Sequence, residues 1–168
     1  NVLYFADSLG AMNSADVSKC IKTIRTQWKG EIGIHTHNNL GKAVSNSISA
    51  IEHGVTWIDS TVTGMGRGPG NSETEYLIIE LAKYSKKQFN LLPLTKIISK
   101  YFEPLKIKYK WGPNAFYYLA GKHGIHPTYI QEMLTIKMNE DEILEAIKQL
   151  KNKEGNKYDV NLIKSEFQ

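Results

Sequence analysis

The sequence predicts an α/β fold of parallel strands over residues 1–88, followed by a small, mainly helical part over residues 89–168. Three observations carry this. Short apolar runs alternate three times with stretches whose apolar residues recur at spacings of three and four, the period of an amphipathic helix. Each strand reaches the next only through such a helix, and strands joined by helical crossovers pair in parallel. After Asn90 the strand pattern stops, and the proline and capping signals that follow belong to short helices.

The first strand is the run Leu3, Tyr4, Phe5 and Ala6, ended by Asp7, Ser8, Leu9 and Gly10. Asn13 or Ser14 caps a helix whose apolar face is Val17, Cys20, Ile21, Ile24 and Trp28. Gly30 stands where a left-handed C-cap belongs. Residues 31–37 form the second strand, and Asn38 and Asn39 break it. The second helix aligns Leu40, Val44, Ile48 and Ile51 and stops at Gly54. A third strand over 55–62 runs into a glycine-rich loop, after which Ser72 to Glu75 form a capping-box pattern opening a third helix through Tyr84. Three such units cannot close a barrel. They are the last three-eighths of one, or a small open sheet. In the second part, Pro93 starts a helix that Pro104 ends, and Asn114, Pro127 and Asn139 start three more.

With 41% hydrophobic and 10% aromatic residues, the 168-residue chain is too apolar for intrinsic disorder. No apolar run approaches the roughly 20 residues that span a bilayer. The single Cys20 excludes a disulfide framework and a multi-cysteine zinc site, and its place on a helix face makes it a core residue rather than a nucleophile. The 21 Lys+Arg against 17 Asp+Glu give +4, without the long like-charge block of a nucleic-acid stripe. The chain begins in mid-strand without a leader or initiator methionine, so its beginning is expected to be missing.

His35 and His37 close the second strand. Residues i and i+2 leave a strand on one face, about 6 to 7 Å apart at the backbone, which suits adjacent ligands of one metal ion. Thr36 points the other way. Sites in parallel α/β folds form at the C-terminal strand ends, where both histidines lie. Taken alone, the pair is also compatible with a structural role. The loop of Gly64, Gly66, Gly68 and Gly70, interleaved with Met65, Arg67 and Pro69, ends at Asn71. Pro69 occupies the third glycine position of a dinucleotide fingerprint, and no Gly-Lys-Ser/Thr follows. This loop is a flexible turn, or it brings Asn71 and backbone amides to a site. Asp7, Ser8, Asp59 and Ser60, at or near strand ends, are caps or hold a substrate carboxylate or water. Phe116, Tyr117 and Tyr118 read as packing; His53, His123 and His126 read as surface or capping residues.

The segment 33–43 with Asn46 and Ser47, the segment 58–71, and the run 6–12 together resemble the DRE-TIM metallolyase superfamily (HMG-CoA lyase-like): its metal-binding strand, its last barrel strand with glycine loop, and the strand before them. Two asparagines after the His-x-His and the Asp-Ser-x-Gly run point to its 4-hydroxy-2-oxovalerate aldolase branch. The stretch 111–129 looks like the helical C-terminal part of such members. The resemblance implies the C-terminal part of a (β/α)8 TIM barrel, with about three β/α units present, and a divalent ion, Mn2+ or Mg2+.

It implies His35 and His37 as metal ligands, Asn71 as a residue that approaches or binds the metal, and Ser8, with Asp7, for the substrate carboxylate. The family's first strand, which supplies an aspartate ligand and an arginine, has no counterpart here, and the catalytic base usually lies outside this part. The implied parent is a cytoplasmic aldolase that cleaves a 4-hydroxy-2-oxo acid into pyruvate and an aldehyde, with this chain incompetent alone. Its implied partners are the missing N-terminal barrel half, further copies of itself, and possible coupling to an aldehyde dehydrogenase; neither membrane nor nucleic acid is among them. An acyl-CoA lyase or synthase of the same superfamily and a non-catalytic barrel module are the alternatives. Open strand edges, with Ile32, Ile34, Ile58 and Val62 read as inward-facing and short of cover, favour an oligomer.

Overall fold

Three parallel strands in the order β1 (Val2–Asp7), β2 (Glu31–Thr36) and β3 (Trp57–Ile58) form the sheet of the computed structural model, which describes residues 1–85, 89–152 and 155–159. Tyr4 pairs with Gly33 and Ala6 with His35, while Gly33 pairs with Trp57 on the other side. Strand alternation then sorts the side chains onto two faces. Tyr4, Ala6, Gly33, His35 and Trp57 share one face. Ile32, Ile34 and Thr36 occupy the other and are completely buried.

That second face lies under α1 (Ser14–Gln27) and α2 (Ala43–Glu52), where Ile32 and Ile34 pack with Val17, Ile21, Ala50 and Val55, and with Ile58 at the margin. The inward placement expected for these isoleucines is therefore wrong. Ile34 and His35 are neighbours on one strand and cannot share a face. Val62 lies off the sheet, in a 3₁₀ turn (Val62–Gly64). The third strand is also shorter than the 55–62 expected. At Thr61 the chain turns instead to the segment beyond the glycine loop, with Thr61 N–H on Ser72 O at 3.0 Å and Thr74 N–H on Thr61 O at 3.0 Å.

Asn13 caps α1 with a complete capping box: its Oδ1 accepts from the Ala15 and Asp16 amides, and Asp16 accepts from the Asn13 amide. Gly30 is not a left-handed cap. It is glycine because the Trp28 indole folds over it, 2.8 Å from where a Cβ would stand. The buried face of α2 is Ala43, Asn46, Ser47 and Ala50, small residues that let the helix approach the sheet, and the expected stripe of Val44 and Ile48 is only half-buried. The helix α3 (Thr74–Leu81) lacks the expected capping box: Glu73 and Glu75 reach away to Asn38 Nδ2 and the Thr63 amide.

Helix α4 (Leu92–Ile97), a π-helical turn (Ile98–Phe102) and α5 (Glu103–Tyr109) run on without a break. Pro104 thus does not end the helix. The π turn before it, closed by the Glu103 amide on Ile98 O, puts Pro104 in the first turn of α5, where a missing N–H costs least. The starts expected at Asn114, Pro127 and Asn139 are those of α6 (Ala115–Lys122), α7 (Pro127–Thr135) and α8 (Glu140–Asn152). These three helices enclose a second core of Tyr117, Ala120, Ile125, Tyr129, Ile130, Met133, Ile143, Ala146, Ile147 and Leu150. Residues 86–88, at the expected division of the chain, lie outside the described residues. Among the described residues no helix is long and apolar enough to cross a membrane.

Candidate metal centre

His35 and His37 stand at the C-terminal end of β2 on the face turned away from the helices, with ring centroids 4.8 Å apart and planes at 81°. Thr36 between them points into the helix layer, where its Oγ1 meets Ser47 Oγ at 3.0 Å and Ala43 O at 3.2 Å. That buried contact fixes the strand's rotation and so directs both imidazoles outward from the opposite face.

Each ring has one nitrogen engaged. His37 Nδ1 lies 2.8 Å from the Asp7 carbonyl, which can only accept, so Nδ1 carries the proton and Nε2 presents its lone pair. His35 Nδ1 lies 3.3 Å from Asp59 Oδ2. A carboxylate behind an imidazole orients the ring and fixes its tautomer, an arrangement common behind metal-bound histidines. Asp59 extends the layer formed by Ala6 and His35. Its carboxylate also faces the Tyr4 phenol, whose pKa is pushed up by burial and then by that charge.

Asn71 arrives from the far side of the glycine loop. It forms an isolated antiparallel bridge with His37, and the Asn38 amide bonds Gly70 O at 3.0 Å. Its Nδ2 donates to Met65 O at 3.2 Å and to Thr61 Oγ1 at 3.5 Å, leaving Oδ1 without a donor among the described residues. The loop is built for this approach. A Cβ on Gly66 would stand 2.6 Å from Asn71 Nδ2, and one on Gly70 would stand 2.3 Å from Gly64 O, at a φ of +77°.

Asp7 and Ser8 differ in what they offer. Asp7 is buried, and its two carboxylate oxygens accept from the Ala11 and Met12 amides, so it folds the loop after β1 and reaches His37 through its carbonyl. Burial nevertheless pushes its carboxyl pKa up, against the lowering by those amides and by His37. Ser8 is exposed, with its hydroxyl uncommitted among the described residues. Ser60 bonds Thr74 across to α3 at 2.9 Å. Cys20 is half-buried at the edge of α1, outside the core cluster, and burial raises its thiol pKa.

The helical part is clamped to the back of the glycine loop. Trp111 Nε1 donates to Thr63 O at 3.0 Å, the Gly112 amide to Gly68 O at 3.0 Å, and Arg67 to Thr128 Oγ1 at 3.3 Å. His126 caps α7 through its Nδ1, which accepts from the Thr128 amide. Its pKa is held down by burial, then by Arg67 and His37. The chemistry of this donor set suits a divalent ion: two imidazole nitrogens and an amide oxygen are available on adjacent segments. Among the described residues no group of three or more His, Cys, Asp or Glu side chains is placed to hold one. The sequence pattern pointed to the histidines and Asn71. It gave no sign that Asp59 pairs with His35, or that the Trp111 region clamps the loop.

The profile of the HMGL-like family matches residues 1–99, more than half of the chain. The chain belongs to the HMGL-like family. Among relatives, a 4-hydroxy-2-oxovalerate aldolase from Carboxydothermus hydrogenoformans is 45% identical over 83 residues, 49% of this chain and 25% of the relative. One from Bacillus thuringiensis is 38% identical over 104 residues, 61% of this chain and 30% of the relative. The HMGL-like chain thus spans about a quarter to a third of the curated relatives it matches. A solved N-terminal domain of a protein from Bacteroides vulgatus, named as an aldolase, superposes with a TM-score of 0.76 at 34% identity, covering 86% of this chain and 48% of that one. The HMG-CoA lyase of Bacillus subtilis gives 0.53 at 26% identity, over 66% and 38%. The α/β architecture is that of part of a TIM-barrel aldolase or lyase domain.

Proposed function

We propose that the protein containing this chain is a divalent-metal-dependent aldolase that cleaves a 4-hydroxy-2-oxo acid into pyruvate and an aldehyde. The observation that carries this reading is the pair of imidazoles on one strand face, each tied at Nδ1 and free at Nε2, with Asn71 Oδ1 alongside. Relatives named as 4-hydroxy-2-oxovalerate aldolases support the substrate class.

His35, His37 and Asn71 would hold the ion, Mn2+ or Mg2+. When bound, such an ion supplies Lewis acidity toward a carbonyl oxygen and the negative charge that grows on it. The chain's own residues do the positioning. Asp7 O and Asp59 hold the two rings against rotation, and the exposed Ser8 hydroxyl would donate to a substrate carboxylate. Cleavage of the C3–C4 bond requires the 4-hydroxyl to lose a proton as the aldehyde forms, and the pyruvate fragment then takes one up. A carboxylate ligand and the base come from a part of the protein outside this chain, which alone is incompetent.

Further copies of the chain, and a dehydrogenase that consumes the aldehyde, complete the proposed setting, in the cytoplasm. The test is a pyruvate-release assay on the full-length protein, with EDTA and then with added Mn2+ or Mg2+. Turnover that resists EDTA would refute the metal role. Turnover of acyl-CoA substrates alone would favour an acyl-CoA lyase.

A further inference from the structure

A cavity of about 470 Å³, lined by neither histidine of the metal centre nor Asn71, opens between the glycine loop and the helical part. Its walls include Arg67, Lys110, Tyr109, Tyr117, Gln131 and Leu134, and no acidic side chain lines it. The clamps already described build it: Trp111 on Thr63 O and Gly112 on Gly68 O bring the end of α5 against the loop. The loop itself approaches Tyr117 closely, since a Cβ on Gly68 would lie 3.3 Å from the Tyr117 hydroxyl.

Arg67 and Lys110 both line this cavity, and neither has a carboxylate partner among the described residues. Arg67 is positioned by its bond to Thr128 Oγ1. Lys110 is held in a left-handed backbone conformation, φ 56°, which side-chain-bearing residues adopt at a cost. Glycine would fit that position more easily, yet the chain places a lysine there. A guanidinium fork and an ammonium together, with phenol and amide groups beside them, match a dianionic oxygen cluster better than a single carboxylate. The apolar remainder of the wall, Tyr109 and Leu134, suits a compact apolar body.

We infer that the cavity between the glycine loop and α5–α7 binds a small phosphorylated organic molecule, its phosphate on Arg67 and Lys110. This site is separate from the histidine centre and does not depend on the aldolase reading. Because one wall is the loop that carries Asn71, a ligand here touches the support of the metal centre without entering it.

The test is calorimetric titration of the intact protein with phenyl phosphate, inorganic phosphate and benzoate, in EDTA at fixed ionic strength. Phenyl phosphate is expected to bind more tightly than either. Arg67→Met and Lys110→Gly are each expected to weaken it by about tenfold or more, the cost of one lost charge-assisted contact. Lys110→Gly relieves the positive φ, so its far-ultraviolet spectrum and melting temperature should hold, which keeps the result interpretable. Absence of phenyl phosphate binding at millimolar concentration would overturn the proposal. So would affinity unchanged in both variants, benzoate binding equally well, or binding lost only in His37→Ala. Since the readout is binding without metal, failure here leaves the aldolase assay untouched, and the reverse holds.

Discussion

His37 donates its Nδ1 proton to the carbonyl of Asp7 across 2.8 Å, joining the end of β2 to the end of β1. The bond settles the tautomer of the ring and leaves Nε2 as its only available lone pair. It also makes the position of a prospective ligand depend on the loop after β1, which Asp7 folds with its carboxylate. Backbone pairing between strands thus becomes side-chain geometry at the site.

Replacing either imidazole tests the centre directly. His35→Ala and His37→Ala are expected to abolish most metal-dependent pyruvate release in the full-length protein, while the melting temperature in EDTA changes little, since both rings stand off the core. Metal affinity measured by titration decides it. Unchanged affinity in both variants would remove these residues from the ligand set.

Asp59→Asn keeps the size of the side chain and removes the charge behind His35. It is expected to weaken metal binding by about 10- to 100-fold, the usual cost of losing a carboxylate behind a ligating histidine. A melting temperature close to that of the parent chain should accompany the loss, because Asp59 is exposed.

Two glycines of the loop should separate function from stability. Gly66→Ala pushes on Asn71 Nδ2, the movable end of a side chain, so activity should fall with little change in stability. Gly70→Ala meets the Gly64 carbonyl at a positive φ, and a loss of about 1–3 kcal/mol is expected from the backbone conformation alone. Denaturant titration beside kinetics reads both.

Trp111→Phe retains most of the packing and deletes the indole donor to Thr63 O. The orphaned buried carbonyl should cost about 1–3 kcal/mol. A hydrogen-exchange experiment should then show faster exchange around the glycine loop than in the α6–α8 core.

His126 makes part of the stability pH-dependent. Its folded pKa is held below its unfolded value, so its contribution is complete above the unfolded pKa and is lost as pH falls through the folded one. Asn at this position still caps α7, so His126→Asn should match the parent at pH 8 and lose less stability on acidification. Parallel melts from pH 8 to pH 5 measure the difference. Curves that stay parallel would contradict the assignment.

The strand–helix alternation, the buried face Val17/Ile21 of α1, the Asn13 cap and the His-x-His pair on one strand face were legible in the sequence; which sheet face Ile32 and Ile34 fill was not. The legible features follow from periods of two and 3.6 and from local hydrogen bonding, which neighbouring residues decide among themselves. Misreadings arose where a distant segment competed. Thr61 left the third strand because the chain beyond the glycine loop offered its backbone a partner. Glu73 and Glu75 abandoned a local cap for Asn38 and Thr63. The misreading of Gly30 was local: the Trp28 indole, two residues away, takes the space above it. Only the tertiary structure could put Asp59 behind His35, set Asn71 beside His37, and press Trp111 onto Thr63. Those pairs are 24, 34 and 48 residues apart, a separation at which sequence pattern carries no register. Their meeting depends on parallel strand pairing and close approach at glycine, which only the assembled fold supplies.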